Sequence, residues 1–266
     1  MRSIIFFLIF FISVQTSFCQ WSFGSRSFGM AEASVAVNGN GLVLGNPSSQ
    51  KINEFLFTTG RPQQISGLDQ IAFAVHGQVK NLSLETGVHR FGDELSSIGL
   101  LYAGFAHRIG TTSLGIRFNL DQFRAEQTNT LTNFSFSAGG MTRLGKTVSF
   151  GAYIDRISIQ ADSKNEAMNP VRLFAGVAIE ISNSLTTMLS LSQKVNGQPV
   201  LRSGLEYRIT SAIDLRLGNS FSPSGIFLGT GIKYWNVTTD LAASYRQHEG
   251  VVIQATAGYR YNRKKA

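Results

Sequence analysis

Hydrophobic and polar residues alternate along most of this chain. The clearest stretch is Ser113-Leu114-Gly115-Ile116-Arg117-Phe118-Asn119-Leu120-Asp121. A strand turns successive side chains to opposite faces, so Leu114, Ile116, Phe118 and Leu120 share one face and Arg117, Asn119 and Asp121 the other. The same pattern recurs from Glu54 onward and predicts about fourteen strands, at 54–60, 70–79, 81–90, 96–108, 112–124, 131–143, 147–159, 170–181, 185–194, 200–209, 212–221, 225–234, 237–246 and 250–261. Twelve strands is the alternative. The first strand is weak, and 225–234 admits two registers, one exposing Ile226, Leu228 and Ile232 and the other Phe227 and Trp235. The expected fold is all-β: a transmembrane antiparallel up-and-down β-barrel with apolar residues toward lipid and polar residues in the lumen. A soluble exported β-sandwich used for binding would also alternate, but with its apolar face inward. A long meander without a Greek-key crossover, and ionic residues on the polar faces, favour the closed barrel.

The connections agree with an up-and-down order. The even-numbered ones are short: Lys80-Asn81, Ile109-Gly110-Thr111, Leu144-Gly145-Lys146, Ser182-Asn183-Ser184, Thr210-Ser211 and Trp235-Asn236. Gly, Asn and Ser suit the positive-φ positions of tight hairpins. The odd-numbered ones are mostly longer and more polar, such as 61–69, 125–130, 161–169 and 195–199. Short periplasmic turns and longer outer loops belong to barrels of the bacterial outer membrane, which places both barrel termini in the periplasm. A weak repeat precedes three short turns: His107-Arg108-Ile109-Gly110, Thr142-Arg143-Leu144-Gly145 and Tyr207-Arg208-Ile209-Thr210. It reads as interfacial anchoring.

Two segments precede the strands. Arg2 followed by the apolar run from Ile4 to Val14, broken by Ser13, and then by polar Gln15 to Gln20, reads as a signal peptide over 1–19. Cys19 is also a candidate for lipidation, although Phe18 is bulky for that processing. Residues 20–53 are rich in Gly, Ser and Asn. Their apolar members Phe23, Phe28, Met30, Val35, Val37, Leu42 and Leu44 need burial, which the lumen offers, so the segment is expected to be a plug, with a short helix over 30–37. The barrel itself then occupies 54–266.

Composition narrows the chemistry. The formal net charge is +8, or +7 without Arg2, but Lys and Arg are scattered and gather only at Arg263-Lys264-Lys265, so nucleic acid is not an expected partner. Cleavage after Cys19 leaves no cysteine, hence no disulfide, thiolate metal site or cysteine nucleophile. The chain carries no G-x-S-x-G, H-E-x-x-H, C-x-x-C or phosphate-binding loop, and His76, His89, His107 and His248 lie apart. No catalysis, cofactor or metal is expected. His89 and His248 near the outer rim, beside serines such as Ser96, Ser97, Ser222 and Ser224, read as solvated rim residues.

Projection of the strands places a charged set in the lumen: Glu85, Arg117, Asp121, Asp155, Arg172, Glu180, Arg202, Glu206, Arg208, Asp214, Arg216, Asp240, Arg246 and Arg260. Unpaired charges in a confined lumen are costly, so acids and bases are expected to pair across strands, filling the barrel or setting what passes. Phe91, Tyr102, Phe105, Phe123, Phe221, Tyr234, Trp235, Tyr245, Tyr259 and Tyr261 are expected as aromatic girdles.

The N-terminal segment resembles the opening of PorV/PorQ-like barrels, within the long-chain fatty acid transporter (FadL-like) superfamily. The family pattern, roughly G-x-R-x-x-G-M-G-x-A-x-x-A followed by N-P-A, is matched by Arg26, Gly29, Met30, Ala33, Ala36, Asn46 and Pro47. Ala31 stands where a second glycine is usual, and Asn38-Gly39-Asn40 where an acidic pair is common. The resemblance implies a fourteen-stranded barrel with an inward-folded plug in a Bacteroidota-type outer membrane. It implies a non-catalytic role, either transport of small or hydrophobic compounds or work with type IX secretion. The expected partners are outer-membrane lipid and either a hydrophobic small molecule or secretion-machinery proteins. The remaining alternative is a mainly structural or surface-binding barrel.

Overall fold

Period-two alternation only satisfies a membrane when every strand edge is paired, because an unpaired backbone group in hydrocarbon has no water to bond. The computed structural model closes that ring. It describes residues 24–261 apart from 40, 65–66, 127–129, 160–169, 196 and 248. The expected signal peptide, Phe23, Asn40, the 161–169 loop, His248 and Arg263-Lys264-Lys265 lie outside the described residues. The strands are β1 (Glu54–Pro62), β2 (Asp69–Val79), β3 (Leu82–Gly92), β4 (Ser96–Ile109), β5 (Thr112–Ala125), β6 (Leu131–Leu144), β7 (Val148–Ser158), β8 (Arg172–Glu180), β9 (Leu185–Lys194), β10 (Val200–Arg208), β11 (Ile213–Phe221), β12 (Ser224–Tyr234), β13 (Val237–Arg246) and β14 (Gly250–Arg260). Each pairs antiparallel with the next, and β1 pairs with β14 from Glu54↔Arg260 to Pro62↔Val252, closing a fourteen-stranded barrel.

Side chains sort as the period demands. In β5, Leu114, Ile116 and Phe118 are 57%, 38% and 55% exposed, whereas Arg117, Asn119 and Asp121 are buried in the lumen. Here exposure marks the lipid-facing wall. The register of β12 is settled: Phe227 points inward, and Ile226, Leu228 and Ile232 point out. On the outer wall the small residues Gly140, Ala152 and Ala175 lie directly opposite one another across β6, β7 and β8. They floor a shallow groove beside Phe150, Val177 and Leu189.

The aromatic residues divide between the two faces. Phe105, Phe221, Tyr234, Trp235, Tyr245 and Tyr259 are exposed on the outer wall. Phe91 and Tyr102 are not girdle residues: both are buried and inward-facing, and the Tyr102 hydroxyl donates to the Val43 carbonyl at 3.1 Å. His89 is likewise buried on the lumenal face rather than solvated at the rim.

Residues 24–39 and 41–53 run along the inside of the barrel. Their helix, α1 (Ser25–Phe28), has four residues and falls before the stretch 30–37 where a helix was expected. The reason is local: Ala31 and Glu32 take φ of 52° and 64°, and the Glu32 N–H donates back to the Ser27 carbonyl, so the chain turns out of the helix at once. The segment then passes the wall in reverse strand order. Ser25 bonds Thr256 on β14, Gly29 abuts Gly229 on β12, Met30 and Ala31 lie against β10 and β11, and Val35 lies against β8 and β7. Residues 41–44 cross the lumen, with Gly41 beside Asp240 and Glu54. Asn46, Ser48 and Lys51 continue past β6, β5 and β3 into β1.

A closed barrel of this kind resists detergent until heated. Unboiled protein is expected to run at a different mobility from boiled protein on a gel of the membrane fraction; a soluble protein with no shift would contradict the closed transmembrane barrel.

Candidate functional site

The lumen is built where this segment meets the wall, and at the points of closest approach the wall is glycine. Three cross-strand glycine pairs line it: Gly115↔Gly139, Gly151↔Gly176 and Gly204↔Gly218. A methyl group on Gly204 would stand 2.9 Å from the Met30 carbonyl oxygen, one on Gly176 2.9 Å from Val35 Cβ, and one on Gly151 2.5 Å from the Val35 carbonyl oxygen. Gly218 faces the Met30-Ala31 peptide, Gly115 the Pro47 backbone and Gly139 the Asn46 side chain in the same way. Such distances exclude any larger residue unless the segment moves.

Within this seat the motif residues have specific contacts. Arg26 grips Glu206 with two bonds, Nε to Oε1 at 3.0 Å and Nη2 to Oε2 at 2.8 Å. Gly29 allows the approach to β12. Met30 and Ala33 join an apolar cluster with Met141, Ala178 and Met188 from the wall. Asn46 donates to the carbonyls of Val35 and Gly140 and accepts from Ser48, and Pro47 sits over Gly115.

Two ion networks tie the segment down. In the first, Arg216 reaches Glu206 at 2.8 Å, Asp240 at 2.6 Å and Asp214 at 3.4 Å, and Glu206 also holds Arg26. In the second, Glu85 lies 2.9 Å from Lys51 and 3.5 Å from Arg117, and Arg117 lies 3.3 Å from Asp155 and donates to the Gly45 carbonyl. Arg202 faces Glu32 at 3.8 Å. Arg246 pairs with Glu249 and packs over the rings of Phe28 and Phe227. At the base of the segment, Glu54 accepts from the Gly41 N–H and lies 3.1 Å from His76 Nδ1.

Not every projected lumenal charge joins these networks. Glu180 is at the short-turn rim, 48% exposed and paired with Arg143; Arg208 is at the same rim, 53% exposed, 3.5 Å from Asp214. Both keep inward parity, but the strands end before the lumen closes over them. Arg172 and Arg260 stand opposite Asp155 and Glu54 in register, without an ion pair among the described residues.

The projection left out Glu54, fully buried at the start of β1, and alternation itself misplaces a second lumenal charge. Strict period two sends Arg156 to the lipid face. A bulge in β7 turns it inward instead: its φ is 62°, and Ser137 on β6 faces both Asp155 and Arg156. Arg156 then lies 3.6 Å from Asp121 and 3.7 Å from Asp155. The signal was available, since a mid-strand arginine on a lipid face is costly.

Above the segment, in the long-loop half, remains a cavity of about 80 Å³. Its floor is Ser27, Glu32, Ser34, Val35 and 44–46, and its wall includes Leu100, Arg117, Tyr153, Asp155, Arg156, Arg172 and Phe174. Tyr153 and Phe174 stack there with ring centroids 4.3 Å apart and planes 2° from parallel. The cavity therefore presents an aromatic surface beside arginines. Among the described residues no cluster of His, Cys, Asp and Glu could hold a metal ion.

No family model and no curated protein matches the chain by sequence. By structure it is similar to a deltaS2S3 mutant of the monoaromatic hydrocarbon channel TodX, with TM-score 0.66 and 11% identity over 91% of this chain and 99% of that one. It is also similar to the monoaromatic hydrocarbon channel CymD, with TM-score 0.66 and 11% identity over 91% and 98%. The toluene transporter TodX of Pseudomonas putida gives TM-score 0.64 and 12% identity over 90% and 98%. At these identities the likeness is one of fold.

Two substitutions test the seat. Arg216→Ala leaves buried carboxylates without their shared partner and is expected to cost about 3–5 kcal/mol in denaturant unfolding of the barrel. Gly218→Val is expected to lever Met30 and Ala31 off the wall, so that the 24–50 segment becomes cleavable by protease while the heat-dependent gel shift persists.

Proposed function

We propose that this chain is a non-catalytic channel of the bacterial outer membrane, of the FadL-like kind, that passes small hydrophobic molecules. In this reading residues 20–53 are its plug, 1–19 a cleaved signal peptide, and both barrel termini face the periplasm. The observation that carries the proposal is the seat itself: a fourteen-stranded wall stripped to glycine where an N-terminal segment fills the lumen, next to a residual cavity. The stacked Tyr153 and Phe174, with Leu44 and Leu100, give one side of that otherwise charged cavity an apolar surface, against which a small aromatic or aliphatic molecule is proposed to lie. TodX and CymD, which share the fold, are named as monoaromatic hydrocarbon channels. The surrounding partner is membrane lipid, met by Phe57, Phe73, Phe118 and their neighbours.

A PorV/PorQ-like role in type IX secretion, in a Bacteroidota outer membrane, is the second reading, and it rests on the N-terminal motif. Those motif residues are already engaged: Arg26 with Glu206, Gly29 with Gly229, Asn46 with Gly140, Pro47 with Gly115. Packing accounts for them without a secretion partner, which supports the channel.

Deletion of residues 21–50 should raise single-channel conductance several-fold in planar bilayers, with the gel shift retained as proof of a folded barrel. Unchanged conductance in a folded barrel would overturn the plug. Co-purification separates the two readings: lipid-like ligand from the lumen accords with the channel, and captured secretion proteins accord with the second role.

A further inference from the structure

At one end of the barrel the cations outnumber the acids. Lys80 and Lys146 sit in short turns, and Arg108, Arg143, Arg208 and Lys233 take the last inward-parity positions of β4, β6, β10 and β12. Arg260 does the same on β14. The sequence has these cations scattered, because they lie on separate hairpins; the closed ring brings them to one rim. Two acids pair with them, and a third, the buried Glu54, stands opposite Arg260 in register. Glu180 pairs with Arg143 at 2.8 Å, and the single carboxylate of Asp214 is shared among Arg208, Lys233 and Arg216.

The opposite end is close to balance among the described residues, with Arg172 at the start of β8 the one cation over. Arg61 pairs with Asp69 and Arg246 with Glu249, while Arg90, Arg124 and Lys194 are matched in number by Asp93, Glu94 and Glu126. The asymmetry therefore belongs to the short-turn mouth and not to a generally basic surface.

The direction of the side chains decides what the mouth can meet. In Arg108-Ile109, Arg143-Leu144, Arg208-Ile209 and Lys233-Tyr234, alternation gives the lipid face to the apolar partner: Ile109, Leu144, Ile209 and Tyr234 are 65%, 54%, 49% and 68% exposed there. Anchoring at the interface falls to these apolar residues. The cations stand on the other parity, around the rim of the mouth, where lipid headgroups along the outer wall do not lie. A ring of one sign around a low-dielectric opening focuses its potential outward along the axis.

We infer that the short-turn mouth is a docking surface for an acidic polypeptide segment in the compartment on that side. Several carboxylates spaced along an extended chain can each meet a cation of the ring, relieving its mutual repulsion. Charge complementarity of this kind sets encounter rate and salt dependence more than it sets area-driven affinity.

The test uses the full chain in phosphatidylcholine nanodiscs and a fluorescein-labelled peptide of ten glutamates, read by anisotropy. Binding is expected to be saturable and to weaken steeply between low and physiological salt. The variant Lys80→Gln/Arg108→Gln/Lys146→Gln removes cations that form no ion pair among the described residues, and should lose about tenfold in affinity. The control Arg61→Gln/Arg124→Gln at the other end should bind as the parent does. Equal loss in both variants, or loss in neither, would overturn the inference. So would a triple variant that keeps peptide affinity but no longer enriches phosphatidylglycerol from mixed-lipid nanodiscs, which would assign the ring to a lipid surface. The heat-dependent gel shift verifies that each variant is folded.

Discussion

Backbone must meet backbone inside this barrel, and the rest of the lumen follows from that. Barrel diameter grows with strand number; about eight strands leave an interior that side chains alone can fill, and fourteen leave a wider one. Something must occupy the difference. Here it is a stretch of the chain's own N-terminus, and a polypeptide is too thick to fit against a wall that still carries side chains. Glycine at Gly115, Gly139, Gly151, Gly176, Gly204 and Gly218 supplies the clearance. The cost is conformational entropy in strands that would be stiffer with larger residues, and van der Waals contact with the segment offsets it.

Close approach alone does not fix where the segment stops, since an apolar segment on a smooth wall could slide. The ion networks set that register. Arg26 and Lys51, some twenty-five residues apart in sequence, each find a wall carboxylate, Glu206 and Glu85, that is already held by a wall arginine. A buried ion pair contributes little net stability against an apolar substitute, but a misplaced one is heavily penalised. The charges therefore act as positional constraints: displacement of the segment in either direction takes Arg26 from Glu206 and Lys51 from Glu85 and leaves both cations buried without their partners.

The strands were legible because one simple rule, period two, operates in all of them and the turns between them are short. The inward placement of Glu85, Arg117, Asp121, Asp155, Glu206, Asp214, Arg216 and Asp240 follows from the same rule. What escaped it was whatever breaks the period or depends on closure. Arg156 departs from the strict rule because a bulge adds a residue, and only the cost of an arginine on a lipid face signalled it; Tyr102 keeps the period, with Leu100 and Ala106, and was placed in a girdle by its aromatic type rather than by its parity. The helix in the segment was misplaced because Ala31 and Glu32 adopt φ values that their side chains do not advertise. The glycine pairs were unreadable for a different reason: each is an ordinary small residue until its partner across the sheet is known, and that partner is given by register, not by sequence spacing. The shared rim of Arg108, Arg143, Arg208 and Lys233 is likewise a property of the ring.

In the sector formed by β6, β7 and β8, the small residues occur on both faces. Gly139, Gly151 and Gly176 look inward and Gly140, Ala152 and Ala175 outward. Over that area the partition between lipid and lumen is a single peptide layer. Elsewhere two rows of side chains insulate the acyl chains from the polar interior. Here the amide of Asn46 bonds the carbonyl of Gly140, a residue whose own face is turned to lipid. Packing on the two sides of the membrane wall is thus one problem, not two: bulk added to either surface is felt directly on the other.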